Sequence, residues 1–170
     1  MRFYLPATLF LSALSAAPAL AGQEVVAVWS GSTFSTASNS GEHVWDAGFS
    51  LIDKNGEVIY NEANPDGYKP CIHMGQEFQL EGGCLGGAWY SFRCKANPIS
   101  VPEECEVMGP DGKSVATGDS DSSTDYFGLG ISMTGACRVN FELWEGIDCE
   151  NGSGDLVPHH TGWHAEDGWS

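Results

Sequence analysis

Three histidines near the C-terminus form the most suggestive set of metal ligands in the chain. They are His159, His160 and His164. Imidazoles at such spacing can chelate Zn²⁺ or Cu²⁺. The second and third histidines share a face at a distance that suits one ion only in a helix, however, and the neighbouring Pro158 and Gly162 disfavour one. The sequence therefore leaves two interpretations, a metal site and a loosely docked tail, and favours the tail.

A second set of possible metal ligands lies in the stretch Gly118–Asp125, which is predicted to be an acidic loop. Its carboxylates are Asp119, Asp121 and Asp125. Carboxylate oxygens in a loop can bind Ca²⁺, but the EF-hand pattern needs Gly at its sixth position and Glu at its twelfth. Those positions hold Thr124 and Gly130. A solvated acidic turn is therefore the favoured interpretation.

Paired carboxylates are the most plausible catalytic groups. Five glutamates fall on the predicted solvent faces of strands: Glu77, Glu81, Glu104, Glu106 and Glu142. Two acids facing one cleft could hydrolyse a polysaccharide, but charged residues on strands are usually just solvated. The chain has no Gly-x-Ser-x-Gly motif for a serine nucleophile. We therefore assign no catalytic residue and expect no cofactor.

The tryptophan at position 89 is the best candidate for a binding residue. On the predicted strand Gly86–Ala96, Trp89 shares a face with Ser91 and Arg93, opposite the apolar face. An exposed indole can stack on a sugar or anchor a protein partner. The indole could equally be covered by the tail, and the cost of exposing it favours that alternative.

Six cysteines predict three disulfides. They are Cys71, Cys84, Cys94, Cys105, Cys137 and Cys149. An even number in an exported chain indicates a disulfide framework, and six cysteines allow 15 connectivities. Because short loops close cheaply, we prefer the local pairs Cys71–Cys84, Cys94–Cys105 and Cys137–Cys149.

Residues 1–21 have the three parts of a secretory signal peptide. Arg2 is basic, an apolar run follows, and Ala19-Leu20-Ala21 is a small-x-small cleavage site. The expected organisation is a signal peptide over 1–21, a disulfide-bonded β domain over 22–155 and a His/Trp-containing tail over 156–170. We expect a secreted monomer that does not insert into membranes.

The acidic charge narrows the choice of partners. The chain has 7 basic and 23 acidic residues, and removing Arg2 lowers the formal net charge from −16 to −17. Such a surface repels nucleic acid phosphates and anionic lipid head groups. Nucleic acid is therefore not expected as a partner.

Alternating apolar residues predict an all-β fold. Phe78 and Leu80 alternate with polar residues, as do the apolar residues of two later segments. Asn55-Gly56 predicts a tight hairpin turn, and no amphipathic helix is found. About eight short strands are expected in a single antiparallel β-sandwich or barrel, stapled by disulfides. Asn151 begins the only Asn-x-Ser/Thr sequon, so it is a candidate for glycosylation.

In layout, the chain resembles the small secreted cysteine-rich proteins of filamentous fungi. It looks most like the β-barrel effector and elicitor group typified by the major Alternaria allergen. The residues that carry this resemblance are the early hairpin Val44–Tyr60, Trp89-Tyr90-Ser91 beside a cysteine, and Cys137 and Cys149 late in the chain. The number of cysteines and the histidine tail depart from that pattern.

The resemblance implies a non-enzymatic effector-type protein that binds a host or microbial target outside the producing cell. The target would be a protein or a cell-wall glycan, and binding would promote virulence or elicit defence. The alternative is a small secreted hydrolase that acts on cell-wall polysaccharide.

Overall fold

The computed structural model describes most of the chain beyond the predicted signal peptide. The described residues are 22–36, 44–71, 75–98, 101–127, 130–144, 146–147, 149 and 156–162. The signal peptide and the sequon residue Asn151 lie outside these ranges, so both stay predictions.

Nine strands make up the fold. They are β1 Glu24–Thr36, β2 Val44–Asp53, β3 Val58–Glu62, β4 Gln76–Glu81, β5 Trp89–Ala96, β6 Pro102–Met108, β7 Ser114–Phe127, β8 Gly130–Glu142 and β9 Val157–Gly162. They form one curled antiparallel sheet in the order β3-β2-β1-β8-β7-β6-β5-β4-β9. The predicted disulfide-stapled antiparallel all-β fold is confirmed, with nine strands where about eight were expected. The part of the chain that the structure describes contains no helix long and apolar enough to cross a membrane.

Strand β7 forms the corner of the curled sheet. Its first residues pair with β6 as far as Gly118, and from Asp119 onward it pairs with β8. A Cβ atom at Gly118 would lie 2.2 Å from the carbonyl oxygen of Arg138 and 2.6 Å from the Sγ atom of Cys105. Glycine is therefore required where the two halves of the sheet approach each other.

The curled sheet encloses an aromatic core. The rings of Trp29, Phe49, Phe78, Tyr90 and Phe92 are all buried. The ring of Phe49 lies at the centre, 5.1 Å from that of Trp29 and 4.9 Å from those of Phe78 and Phe92. These rings come from four strands of both halves of the sheet, so their packing holds the curl together.

Hydrogen bonds and a disulfide tie the described residues of the segment that follows β8 to the rest of the fold. The backbone N–H of Trp144 donates to the hydroxyl of Tyr90 at 2.9 Å, and that of Cys149 donates to Oε1 of Gln23 at 2.7 Å. The disulfide Cys84–Cys149 ties this segment to the turn between β4 and β5. Burial raises the pKa of Tyr90, although the hydrogen bond from Trp144 partly opposes the rise.

A short 3₁₀ turn closes the seam between β3 and β9, the two end strands of the sheet. The turn spans Pro65–Gly67. Oδ2 of Asp66 accepts a hydrogen bond from the backbone N–H of His160 at 2.8 Å, and the ring of Tyr68 stacks on that of His160 at 4.0 Å. Asp66 has a φ of +52°, a conformation that costs a non-glycine residue free energy. The turn thus docks onto the exposed edge of β9.

The three predicted disulfides are present, but the local pairing is wrong. The observed pairs are Cys71–Cys94, Cys84–Cys149 and Cys105–Cys137. Cys94 and Cys105 do face each other on β5 and β6. Residues directly opposite on neighbouring strands hold their Cβ atoms about 4.5–5.5 Å apart, slightly too far for a relaxed disulfide at about 3.8 Å. Each sulfur therefore bonds to a partner on another element.

Two polar segments predicted to lack regular structure are strands instead. The predicted acidic loop lies within β7, and Val157–Gly162, part of the predicted tail, is β9. Backbone hydrogen bonds to the neighbouring strands hold these segments in the sheet, although their sequences do not alternate between apolar and polar residues.

Candidate functional site

The candidate site is the outer face of β4, β5, β6 and β9, which we call the outer patch. Its residues are Glu77, Gln79, Glu81, Trp89, Ser91, Arg93, Glu106, Met108 and His159. Along β5, Trp89, Ser91 and Arg93 point away from the core, whereas Tyr90 and Phe92 are buried in it. The predicted division of this strand into two faces is therefore correct.

An ion-pair cluster crosses the patch. Nε of Arg93 lies 2.5 Å from Oε2 of Glu77, and Nη1 of Arg93 lies 3.6 Å from Oε2 of Glu106. The three side chains come from β5, β4 and β6, because the register places Arg93 directly between the two glutamates. Their side-chain exposures are 28%, 8% and 14%, respectively. The cluster is thus held in place more firmly than a typical surface ion pair.

The burial of Glu77 was not predicted from the sequence. Glu81, Glu104 and Glu142 are exposed as expected, but Glu77 is buried on the outer side of the sheet. The reason is that Arg93 and its neighbours cover the carboxylate while supplying its counter-charge. An arginine opposite a glutamate in paired strands could have suggested this contact, but only once the register was known.

Ser91 lies at the centre of the patch and is completely buried although it faces outward. Its cross-strand neighbours are Gln79 and Met108, and Trp89 and Arg93 flank it along the strand. The Oγ atom of Ser91 has no hydrogen-bond partner. Larger side chains therefore surround a small central residue, giving the patch a closely packed middle.

Trp89 borders an exposed contact between Glu81 and His159. It lies opposite Glu81 and is partly buried. Oε1 of Glu81 lies 2.8 Å from Nε2 of His159, and both side chains are about half exposed. The indole is thus neither fully covered nor fully open, and an exposed contact between a carboxylate and an imidazole lies beside it.

The two described histidines of the proposed metal site point in opposite directions. His159 and His160 are successive residues of β9, and the first meets Glu81 on the outer face whereas the second stacks on Tyr68. One ion held jointly by both rings does not fit this geometry. His164 lies outside the described residues. Within the described residues, no three His, Cys, Asp or Glu side chains are grouped as a metal site requires.

The proposed calcium ligands are in a strand and not in a loop. Asp119, Asp121 and Asp125 lie in β7, where they pair with Arg138, Ala136 and Ser132 of β8. Alternate residues of a strand are spaced about 6.6 Å apart along its axis, so these carboxylates do not converge on one point. All three are exposed, which fits the solvated interpretation.

Comparison with known proteins identifies no relative. No family model, no curated protein and no solved structure matches the chain.

Proposed function

We propose that the protein is a secreted effector-type binding protein that uses the outer patch to contact a host or microbial target. The single observation that carries the proposal is the presence of Trp89, Arg93 and Met108 together on one face of two neighbouring strands, β5 and β6. Tryptophan, arginine and methionine are enriched in the buried centres of protein interfaces.

The order of the patch also supports binding. Arg93 is already fixed by Glu77 and Glu106, so little side-chain entropy is lost when a partner covers it. The strands beneath are held by the disulfide Cys71–Cys94 and by the aromatic core. A rigid surface of this kind suits recognition outside the cell, where disulfides are stable.

The alternative of a polysaccharide hydrolase receives less support from the same residues. Two catalytic carboxyl groups must face a gap that admits the sugar and the attacking water. Here the guanidinium of Arg93 lies between the carboxylates of Glu77 and Glu106. This arrangement favours a structural ion-pair cluster over an acid–base pair.

Leaf infiltration and a glycan-binding array test the proposal together. We expect the purified protein to elicit a leaf response or to bind a wall glycan, and Trp89→Ala and Met108→Ala each to weaken that activity about tenfold or more. Val58→Ala is the control, because Val58 is 57% exposed on β3, a strand that contributes no residue to the outer patch.

Two results would contradict the proposal. One is a leaf or glycan activity that both patch variants retain in full while folding normally. The other is release of sugars from a wall glycan by the wild-type protein, with the release abolished in Glu106→Gln. The second result would establish the hydrolase alternative.

A further inference from the structure

A cavity of about 520 Å³ opens on the outer face of β1 and β8, beside the turn that follows β2. Five exposed or half-exposed residues line it: Glu24, Val26, Lys54, Asn140 and Glu142. Cavities of about 300–1,000 Å³ are typical of small-molecule sites. None of these residues belongs to the outer patch, so the cavity is a separate candidate site.

The pairing of β1 with β8 places two carboxylates side by side at this cavity. Glu24 lies directly opposite Glu142, and like charges opposite each other on antiparallel strands destabilise a sheet. In the part of the chain that the structure describes, neither carboxylate forms an ion pair. A cationic group bound between the two carboxylates would remove the repulsion, so this pair indicates an ammonium group on the ligand.

Lys54 places one positive charge at the same cavity. It follows Asp53, whose Oδ1 atom accepts hydrogen bonds from the backbone N–H groups of Asn55 at 2.8 Å and Glu57 at 2.7 Å. These bonds fix the turn on both sides of Lys54, so the base of its side chain is held in place. Among the described residues, no carboxylate lies within ion-pair distance of Lys54. Its ammonium is therefore available to an anionic group of the ligand.

The charges around the cavity select the class of ligand. An anionic ligand would be repelled by the two glutamates and by the formal net charge of −16. A ligand with positive charge alone would leave Lys54 without a counter-charge. A molecule that carries one ammonium and one carboxylate matches all three charged side chains and has no net charge. Val26 is half-buried and lies opposite Asn140, so an apolar group of the ligand can pack on it.

We propose that this cavity binds a free α-amino acid with an apolar side chain. The ammonium group of the amino acid lies between Glu24 and Glu142 and donates to both carboxylates. Its carboxylate accepts a hydrogen bond from Nζ of Lys54, and its side chain covers Val26. Charge-assisted hydrogen bonds of this kind are the strong ones in ligand recognition. The site does not depend on the outer patch or on the function proposed for that patch.

A titration with L-leucine, monitored by NMR, tests the proposal. Leucine methyl ester and N-acetyl-leucine are the matched probes, because the first lacks the carboxylate and the second lacks the ammonium group. We expect leucine to shift the backbone amide signals of Val26 and Asn140, and to bind about tenfold tighter than either derivative. Salt at about 0.15 M screens the attraction of the cationic ester to the acidic surface. Either unmoved signals at about 10 mM leucine or a derivative that binds as tightly as leucine would overturn the proposal.

Two variants assign the charges of the ligand to the protein. Lys54→Met should weaken the binding of leucine about tenfold and leave that of the methyl ester unchanged, because the ester has no carboxylate for Lys54 to bind. Glu142→Gln should weaken the binding of leucine and of the ester but not that of N-acetyl-leucine. Lys113→Met is the matched control, because it removes one positive charge from an exposed turn that does not border the cavity.

The ligand-free protein provides a further readout. Glu142→Gln should raise its melting temperature, because the variant removes one member of the like-charge pair. A lowered melting temperature would contradict the proposal, since the Glu142 carboxylate would then be stabilised without a ligand. Leucine that binds Lys54→Met as tightly as it binds the wild type would contradict it as well.

Discussion

The disulfide between Cys105 and Cys137 joins β6 to β8 across the point where β7 changes partners. Their Cα atoms lie 6.1 Å apart, and the two cysteines are 32 residues apart in sequence. Gly118 of β7 lies against the Sγ atom of Cys105. The bridge therefore fixes the corner at which the sheet curls. A disulfide between two strands of one hairpin would not span this corner.

We expect the variant Cys105→Ala, Cys137→Ala to lose about 2–5 kcal/mol of unfolding free energy, because this disulfide no longer constrains the unfolded chain. Urea denaturation measures the loss. Peptide mapping of the unreduced wild-type protein should recover linked peptides for Cys105–Cys137, Cys71–Cys94 and Cys84–Cys149. Recovery of a Cys94–Cys105 peptide would contradict the structure.

The turn between β2 and β3 makes stability depend on pH. Asp53 is 3% exposed, and burial acts to raise its pKa. Hydrogen bonds from the backbone N–H groups of Glu57 and Asn55, and from the Asn55 side chain, outweigh burial and hold the pKa of Asp53 below its usual value. A lowered pKa in the folded state stabilises the protein above the unfolded pKa of about 3.9, and this stabilisation is lost as the pH falls through the folded value.

Asp53→Asn should therefore lower the melting temperature at pH 7 by roughly a few degrees, as expected for a small domain that loses a modest stabilising interaction. The difference from the wild type should shrink as the pH falls below about 4 and through the lowered pKa of Asp53 in the folded state, because the wild-type carboxylate then loses its charge. Thermal melts at several pH values measure both effects. A difference that stays constant down to pH 2 would mean that the charge of Asp53 is not what stabilises the turn.

The strands that the sequence predicted and those that it did not predict differ in their burial. Phe78 and Leu80 alternate with polar residues because one face of β4 is buried, and this alternation is visible in the sequence. Residues 120–126 of β7 are exposed on both faces, so no alternation marks them as a strand. The turn at Asn55-Gly56 was predictable, since Gly56 adopts a φ of +87° that favours glycine.

The candidate sites depend on contacts between residues distant in sequence, which explains why they were predicted only in part. Trp89 and its face followed from the period of one strand. The burial of Glu77 depends on Arg93, 16 residues away. Single-strand patterns carry no information on register between strands, so this contact could not be derived before the fold was known.

Breaking the ion-pair cluster should destabilise the protein. Arg93→Met leaves Glu77 buried without the guanidinium that faces it. Because Arg93 is 28% exposed, we expect a loss of about 1–3 kcal/mol, less than for a fully buried pair. The double variant Arg93→Met, Glu77→Gln should recover part of this loss in urea denaturation. Additive losses from the two single changes would contradict the proposed coupling.

Strand β9 should be essential to the fold, in contrast to the sequence-based expectation of a loosely docked tail. It covers the edge of β4, whose Phe78 and Leu80 are fully buried in the core. We expect a chain that ends at Leu156 to unfold at a markedly lower temperature, because the edge of β4 loses its hydrogen-bond partner and the seam turn loses its contacts with His160.

A chain that ends at Gly162 is the matched control, because it keeps β9 whole. The difference in melting temperature between the two truncated chains isolates the contribution of the strand from that of residues 163–170. Asp66→Ala in the full-length chain then tests the seam by itself, since it removes only the acceptor of the His160 N–H. We expect it to cost about 1 kcal/mol. Equal melting temperatures for the two truncated chains would show that β9 contributes nothing to stability, and the sheet would then end at β4.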